Sequence, residues 1–134
     1  MTYNELQKKH KEGFQSFEMF FAYSNRQLEE GLTSLGLKKD DLDKIAHIGG
    51  GGYIRIEEYT NFLDKAEEQA KELDNKLKEE EFFKEALTYE LENHEYCITN
   101  DVDDALDALG LTRSEIDENK NQREWMTEVL RKMN

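Results

Sequence analysis

The chain has 134 residues, with 18 Lys and Arg against 31 Asp and Glu, a formal net charge of −13. That length suits one domain of roughly 100 to 200 residues, and the negative balance excludes phosphate backbones and anionic membranes as direct ligands. Leu, Ile, Val and Phe together number only 30, close to the level of roughly one fifth below which a highly charged chain stays disordered, so the fold must rest on where they are placed.

Proline is absent, and apolar residues recur at spacings of three and four, the mark of helix. Thr2 and Glu5 form a capping box ahead of Tyr3, Leu6, His10, Phe14, Phe17 and Phe21, one stripe of a first helix. Ser24 and Gln27 repeat the box before Leu28, Leu32 and Leu35, and Gly36 follows as a left-handed stop. These two helices are expected to meet at a tight turn. A short helix around Leu42 and Ile45 leads into residues 49–52, four glycines that forbid regular structure, and residues 53–56 alternate as a short strand. A small hairpin or β-bridge is predicted there.

From residue 57 to residue 95 an apolar pattern through Tyr59, Phe62, Leu63, Ala66, Ala70, Leu73 and Leu77, then Phe82, Phe83, Ala86, Leu87 and Leu91, runs without Gly or Pro. One helix of that length spans about 58 Å, whereas a compact chain of this size is about 36 Å across. A break is therefore expected near residues 78–81, or else a projecting arm that dimerises. Residues 101–109 read as a short helix stopped by Gly110, Thr112 and Glu115 open another, and Trp125, Val129 and Leu130 mark a terminal helix. The fold class expected is mainly α: a compact multi-helix domain over residues 1–134, with helix-turn-helix corners and a short β-hairpin at the glycine-rich loop.

Residues 28–43 align with residues 102–117 at an offset of 74, with identities at Leu32/Leu106, Leu35/Leu109, Gly36/Gly110, Leu37/Leu111 and Asp43/Asp117. Each copy reads as a helix, a glycine stop, a leucine that folds back and a second helix, a common helical-hairpin solution. Both corners are expected to pack on the long central helices.

Residues 64–118 hold 19 acids against 6 bases, which accounts for the whole net charge, while the two ends of the chain are slightly basic. No run approaches the roughly 18 apolar residues of a membrane span, and residues 1–11 are too polar for a signal peptide. The single cysteine, Cys97, excludes an intrachain disulfide framework and suits a reducing compartment. A soluble cytoplasmic protein is expected.

Four constellations invite a chemical reading. The glycine run lacks the following helix and the Lys or Ser/Thr of a phosphate-cradling loop, so it reads as a site of close backbone approach, to the chain itself or to a partner. Gly52, Ile54, Glu58 and Tyr59 fall where a calcium-binding EF-hand loop places comparable residues, but His47, Gly49 and Gly51 offer no carboxylate at the ligand positions. Glu90, His94 and Cys97 share one helix face at i, i+4 and i+7, a three-ligand set without an evident fourth, and as a dyad His94 and Cys97 lack an orienting group. No metal or cofactor is expected. Catalytic carboxylates need an apolar cleft to shift their pKa values, whereas these acids lie on the polar faces of short helices, so no enzyme is expected.

The acidity carries the sharpest argument. Asp101, Asp103, Asp104 and Asp107 on one helix put four charges within about 9 Å, approaching the one per roughly 1.7 Å of duplex DNA. Glu79, Glu80 and Glu81 add a second acidic run. Residues 20–32 (FFAYSNRQLEEGL), 48–55 (IGGGGYIR) and 89–112 (YELENHEYCITNDVDDALDALGLT) together resemble a family of small acidic proteins of phages and mobile elements in Firmicutes-like bacteria. The resemblance implies a host-directed accessory role and transfers no catalytic residue. The expectation is a DNA-mimicking or anti-CRISPR-like inhibitor of a basic host protein, such as a nuclease or CRISPR effector. Asp101, Asp103, Asp104, Asp107, Glu79, Glu80 and Glu81 would be its electrostatic contacts, with Gly50, Gly51 and Tyr53 in a close-fitting loop. A helical scaffold or homodimer, and a small metal- or nucleotide-binding protein, are the alternatives.

Overall fold

A computed structural model describes residues 1–134. Its elements are α1 (Tyr3–Phe14), β1 (Met19–Phe21), α2 (Asn25–Ser34), β2 (Ile45–Gly49), β3 (Gly52–Arg55), α3 (Tyr59–Lys76), α4 (Glu80–Asn93), α5 (Tyr96–Thr99), α6 (Asp103–Ala108), α7 (Arg113–Glu118) and α8 (Lys120–Met133), with single 3-10 turns at Leu42–Lys44 and Ile56–Glu58. The chain is mainly α, as its periodicity predicts. It divides into two compact units, residues 1–8 with 68–134 (unit 1) and residues 9–67 (unit 2). No helix is long and apolar enough to cross a membrane.

Unit 2 holds an antiparallel sheet of strand order β1-β3-β2, larger than the hairpin expected. The helical stripe predicted through Phe17 and Phe21 leaves α1 after Phe14, where three-residue turns close at Gln15 N to Glu12 O and Phe17 N to Phe14 O. Met19, Phe20 and Phe21 then pair with Ile54, Tyr53 and Gly52, so a strand, not a tight turn, separates the first two helices. Aromatic residues favour a pleated, half-buried surface. Phe14 and Phe17 nevertheless stay together, each packing its ring on Phe62 with centroids 5.1 and 5.8 Å away. Ile45, expected in a helix, instead opens β2 opposite Arg55, because its β-branched side chain is buried with Leu32 and Leu35. Ile56, expected at the end of a strand, begins a 3-10 turn.

Unit 1 packs α4, α6 and α8 around a core built on Phe82, Phe83, Leu87, Leu91, Leu106 and Leu109, to which Tyr3 and Leu6 add the start of α1. The break predicted in the long apolar stripe lies at residues 77–79, and Glu79 takes an extended conformation before α4. It leaves the Leu77 carbonyl without a helical donor, and the buried Gln122 amide of α8 supplies one at 3.1 Å. Gln122 against Leu77, Trp125 against Phe83 and Glu128 against Lys84 show that α8 runs parallel to α4.

The aligned copies share one helix ending. Leu37 N donates to Leu32 O at 2.8 Å and Gly36 N to Thr33 O at 2.9 Å; Leu111 N donates to Leu106 O at 2.9 Å and Gly110 N to Asp107 O at 3.0 Å. Both glycines have positive φ, +75° and +70°, the Schellman arrangement. The copies then diverge. Thr112 caps α7 by accepting from Glu115 N at 3.2 Å, whereas Lys38 at the equivalent place has no capping oxygen, and its own N–H donates to the Asp41 carboxylate at 2.8 Å. The second helix expected after Gly36 is therefore only a turn. Copy two packs on α4 as expected, but copy one packs on the sheet, through Leu28, Leu32, Leu35, Phe20 and Tyr53.

Candidate functional site: acidic helix starts and a glycine hairpin

Unit 1 carries 20 acids against 10 bases, unit 2 only 11 against 8. The predicted contacts divide accordingly. Glu79, Glu80, Glu81, Asp101, Asp103, Asp104 and Asp107 lie in unit 1 and are all exposed, whereas Gly50, Gly51 and Tyr53 lie in unit 2.

Glu79 to Glu81 open α4, where negative charge offsets the helix dipole. Lys76 holds Glu79 at 3.6 Å, and Lys84 is shared by Glu80 at 3.4 Å and Glu128 of α8. The Glu128 bond holds the Lys84 ammonium above its usual pKa, and Lys84 in turn lowers that of Glu128. Beside this helix start is an open concavity of about 490 Å³, lined by Met1, Thr2, Lys76, Glu79, Glu80, Glu81, Phe82 and Glu85. Three of its four carboxylates are already engaged, Glu79 by Lys76, Glu80 by Lys84 and Glu85 by the Tyr3 N–H.

Asp101 was expected inside the aspartate helix but precedes it. Its Oδ1 accepts from Asp103 N at 2.9 Å, so it shapes the turn into α6. Arg113 of α7 donates through Nε to Asp103 at 2.6 Å and places its terminal nitrogen 3.8 Å from Asp101. The Asp103 bond is also the main cause raising the Arg113 pKa. Asp104, Asp107 and Glu81 have no ion-pair partner. Of the seven acids predicted, these three present charge that no base of the chain offsets.

The glycine hairpin is closed by the chain itself. Gly49, Gly50 and Gly51 have φ of +89°, +58° and +80°, which only glycine adopts at no steric cost. The Tyr23 hydroxyl donates to Gly50 O at 2.8 Å. A Cβ on Gly51 would lie 2.4 Å from the Tyr23 ring. The close backbone approach expected of this loop is thus made by Tyr23, not left open for a partner. Tyr53 stacks on Phe20 with ring centroids 5.4 Å apart. Ile54, which the EF-hand comparison placed in a loop, is a fully buried strand residue.

One cluster the sequence does not reveal is buried in unit 1. Glu90, 4% exposed, receives the Tyr3 hydroxyl at 2.6 Å and the Gln7 amide at 3.4 Å on Oε1, with His94 Nε2 3.3 Å from Oε2. The i, i+4 spacing of Glu90 and His94 was legible; the tie to Tyr3, 87 residues away, carries no local signal. Cys97 does not join them. The left-handed Glu95, φ +57°, turns the chain before α5, Cys97 is exposed, and no group of three His, Cys, Asp or Glu side chains is arranged to hold a metal ion.

A family model matches residues 2–132, nearly the whole chain. The chain belongs to the family of unknown function DUF7659. No curated protein and no solved structure matches it. Within this family member the acids divide by surroundings, Glu90 enclosed in the core and Glu81, Asp104 and Asp107 open to solvent.

Proposed function

We propose that this protein is a non-catalytic acidic binding protein whose unit 1 occupies a basic nucleic-acid-binding surface on another protein. The observation that carries the reading is the set Glu81, Asp104 and Asp107, exposed and without cations of their own, in a unit with twice as many acids as bases. Asp104 and Asp107 lie about 4.5 Å apart along the axis of α6, of the order of the roughly 3.4 Å between charges on one strand of a nucleic-acid backbone. A basic channel shaped for phosphates accepts such a face, and long-range attraction makes the encounter fast and salt-sensitive.

The phage or mobile-element setting implied by the sequence resemblance gives the target class: a basic host defence protein, a nuclease or CRISPR effector, in the bacterial cytoplasm. The exposed, unpaired Cys97 suits that reducing compartment. The non-catalytic reading rests on the enclosure of Glu90. Glu90 is buried and engaged by Tyr3, Gln7 and His94, which supports a structural role for it.

The test is capture from bacterial lysate on the tagged protein, with bound proteins identified and eluted by a salt gradient. A basic nucleic-acid-binding protein should be retained at low salt and released at high salt. The triple variant Glu81→Gln, Asp104→Asn, Asp107→Asn should bind it roughly tenfold more weakly, since exposed pairs contribute about 0.2 to 1 kcal/mol each. A partner held equally at both salts, with unchanged affinity for the variant, would overturn the proposal.

A further inference from the structure

Between Lys84 and Arg113 the chain holds eight Asp and Glu and no Lys or Arg. The whole stretch lies in unit 1. In its middle stands Ile98, 78% exposed and the most exposed of the chain's large hydrophobic side chains.

A single apolar side chain at a surface is ordinary, but the backbone that carries this one is not. The one turn of α5 lies between Glu95 and Asn100, the only residues other than glycine with positive φ, +57° and +56°. The left-handed region is unfavourable for an L residue, less so for Asn than for Glu, and a β-branched side chain adds to the cost in a helical turn. Tyr96 offsets part of this by its burial in the core. Ile98 buries almost nothing within the chain.

The turn is held in place. Ile98 N and Thr99 N donate to Glu95 O at 2.9 and 3.1 Å, and Asn100 N donates to Tyr96 O at 2.8 Å. The bonding continues into the acidic helix, where Thr99 Oγ1 accepts from Asp101 N at 3.1 Å and Asp101 Oδ1 accepts from Asp103 N at 2.9 Å. Ile98 is thus fixed at the approach to α6, next to the aspartates.

We propose that Ile98 is the apolar anchor of the surface by which unit 1 holds a basic protein. This inference rests on the binding role proposed above and adds an attraction that the acids alone lack. Binding energy between proteins concentrates in a few side chains that become fully desolvated, ringed by polar contacts. Exposed charge pairs speed the encounter but are weak and screened by salt, whereas burial of an isoleucine is not screened.

Charge complementarity selects the occupant. Glu92, Glu95, Asp101 and Asp104, all exposed, flank Ile98 in the chain. A second copy would set these same acids against themselves. The partner that fits is a different protein, with an apolar pocket rimmed by Lys and Arg.

The probe is the basic protein that high salt releases in the capture described above, and its affinity is measured at two salt concentrations below the releasing one. Ile98→Ala should weaken binding about tenfold, as truncation of an anchor does, and by the same factor at both salts. The variant Glu81→Gln, Asp104→Asn, Asp107→Asn should lose affinity chiefly at the lower salt. Circular dichroism of Ile98→Ala should be unchanged. The natural chain gives a second readout, because its single cysteine, Cys97, is exposed beside the anchor: saturation with the partner should slow its alkylation by iodoacetamide several-fold. Undiminished affinity of Ile98→Ala, a loss that shrinks with salt, or alkylation at one rate with and without the partner would overturn this inference alone. A capture that retains no basic protein would overturn the binding role and this inference together.

Discussion

The Tyr3 hydroxyl, donating to Glu90 at 2.6 Å, ties the first turn of α1 to α4 inside the core of unit 1. Burial, followed by the bond and charge of Glu90, holds this phenol well above its ordinary pKa. The ordinary value, near 10, sets the pH window. Below it Tyr3 is protonated in both native and unfolded chains, and the native advantage is complete. Above it the unfolded phenol ionises while the native one keeps its proton, so stability falls as pH rises towards the native pKa. Urea unfolding should show the midpoint of the natural protein dropping above about pH 10, while Tyr3→Phe follows a flatter course. At neutral pH that variant should already be less stable by about 1 to 3 kcal/mol, because Glu90 stays buried without its closest donor. Parallel alkaline curves for the two proteins would contradict this account. The apolar stripe places Tyr3 in a core, but a bond spanning 87 residues leaves no periodic trace, so its partner was not legible.

Helix caps and stops were legible because they act over three or four residues. Ser24 caps α2 and Thr112 caps α7, as their boxes predict. The break between α3 and α4 falls where spacings of three and four give way to a gap of five, from Leu77 to Phe82. That gap moves the apolar stripe round the helix axis, so one straight helix could not keep Leu77 and Phe82 on the same face. Strand β1 was not legible, because Phe17 and Phe21 continue a spacing of three and four that suits a helix, and only the distant β3 reassigns Met19–Phe21. Gly31 was also missed; a Cβ there would lie 2.0 Å from the Phe20 ring, so it lets β1 pack against α2. The contrast between the aligned copies gives a test at this scale. Thr112→Ala removes the acceptor of Glu115 N and should cost about 1 kcal/mol, with faster amide exchange along α7. Lys38→Ala at the equivalent position removes no cap and should change stability by less than about 0.5 kcal/mol.

For the molecule as a whole, the distribution of charge couples stability to the proposed function. A net charge of −13 makes self-repulsion a term that folding must overcome, and compaction brings the acids of unit 1 closer together. Glu79, Glu80, Asp101 and Asp103 are partly offset by Lys76, Lys84 and Arg113, while Glu81, Asp104 and Asp107 are not. Sequence showed where the acids lie along the chain; which of them are neutralised depends on tertiary neighbours such as Arg113. Added salt shortens the screening length from about 30 Å at 0.01 M to about 10 Å at 0.1 M, so the Tm should rise over that range. The triple variant Glu81→Gln, Asp104→Asn, Asp107→Asn should melt higher than the natural protein at low salt and respond less to added salt. Combined with its weaker capture of a basic partner, this outcome would mark the three acids as kept at a cost in stability, as residues that serve binding are. A variant that melts lower at every salt concentration would instead assign them to the fold, as favourable charges at the starts of α4 and α6, and would remove the support they give to the binding role.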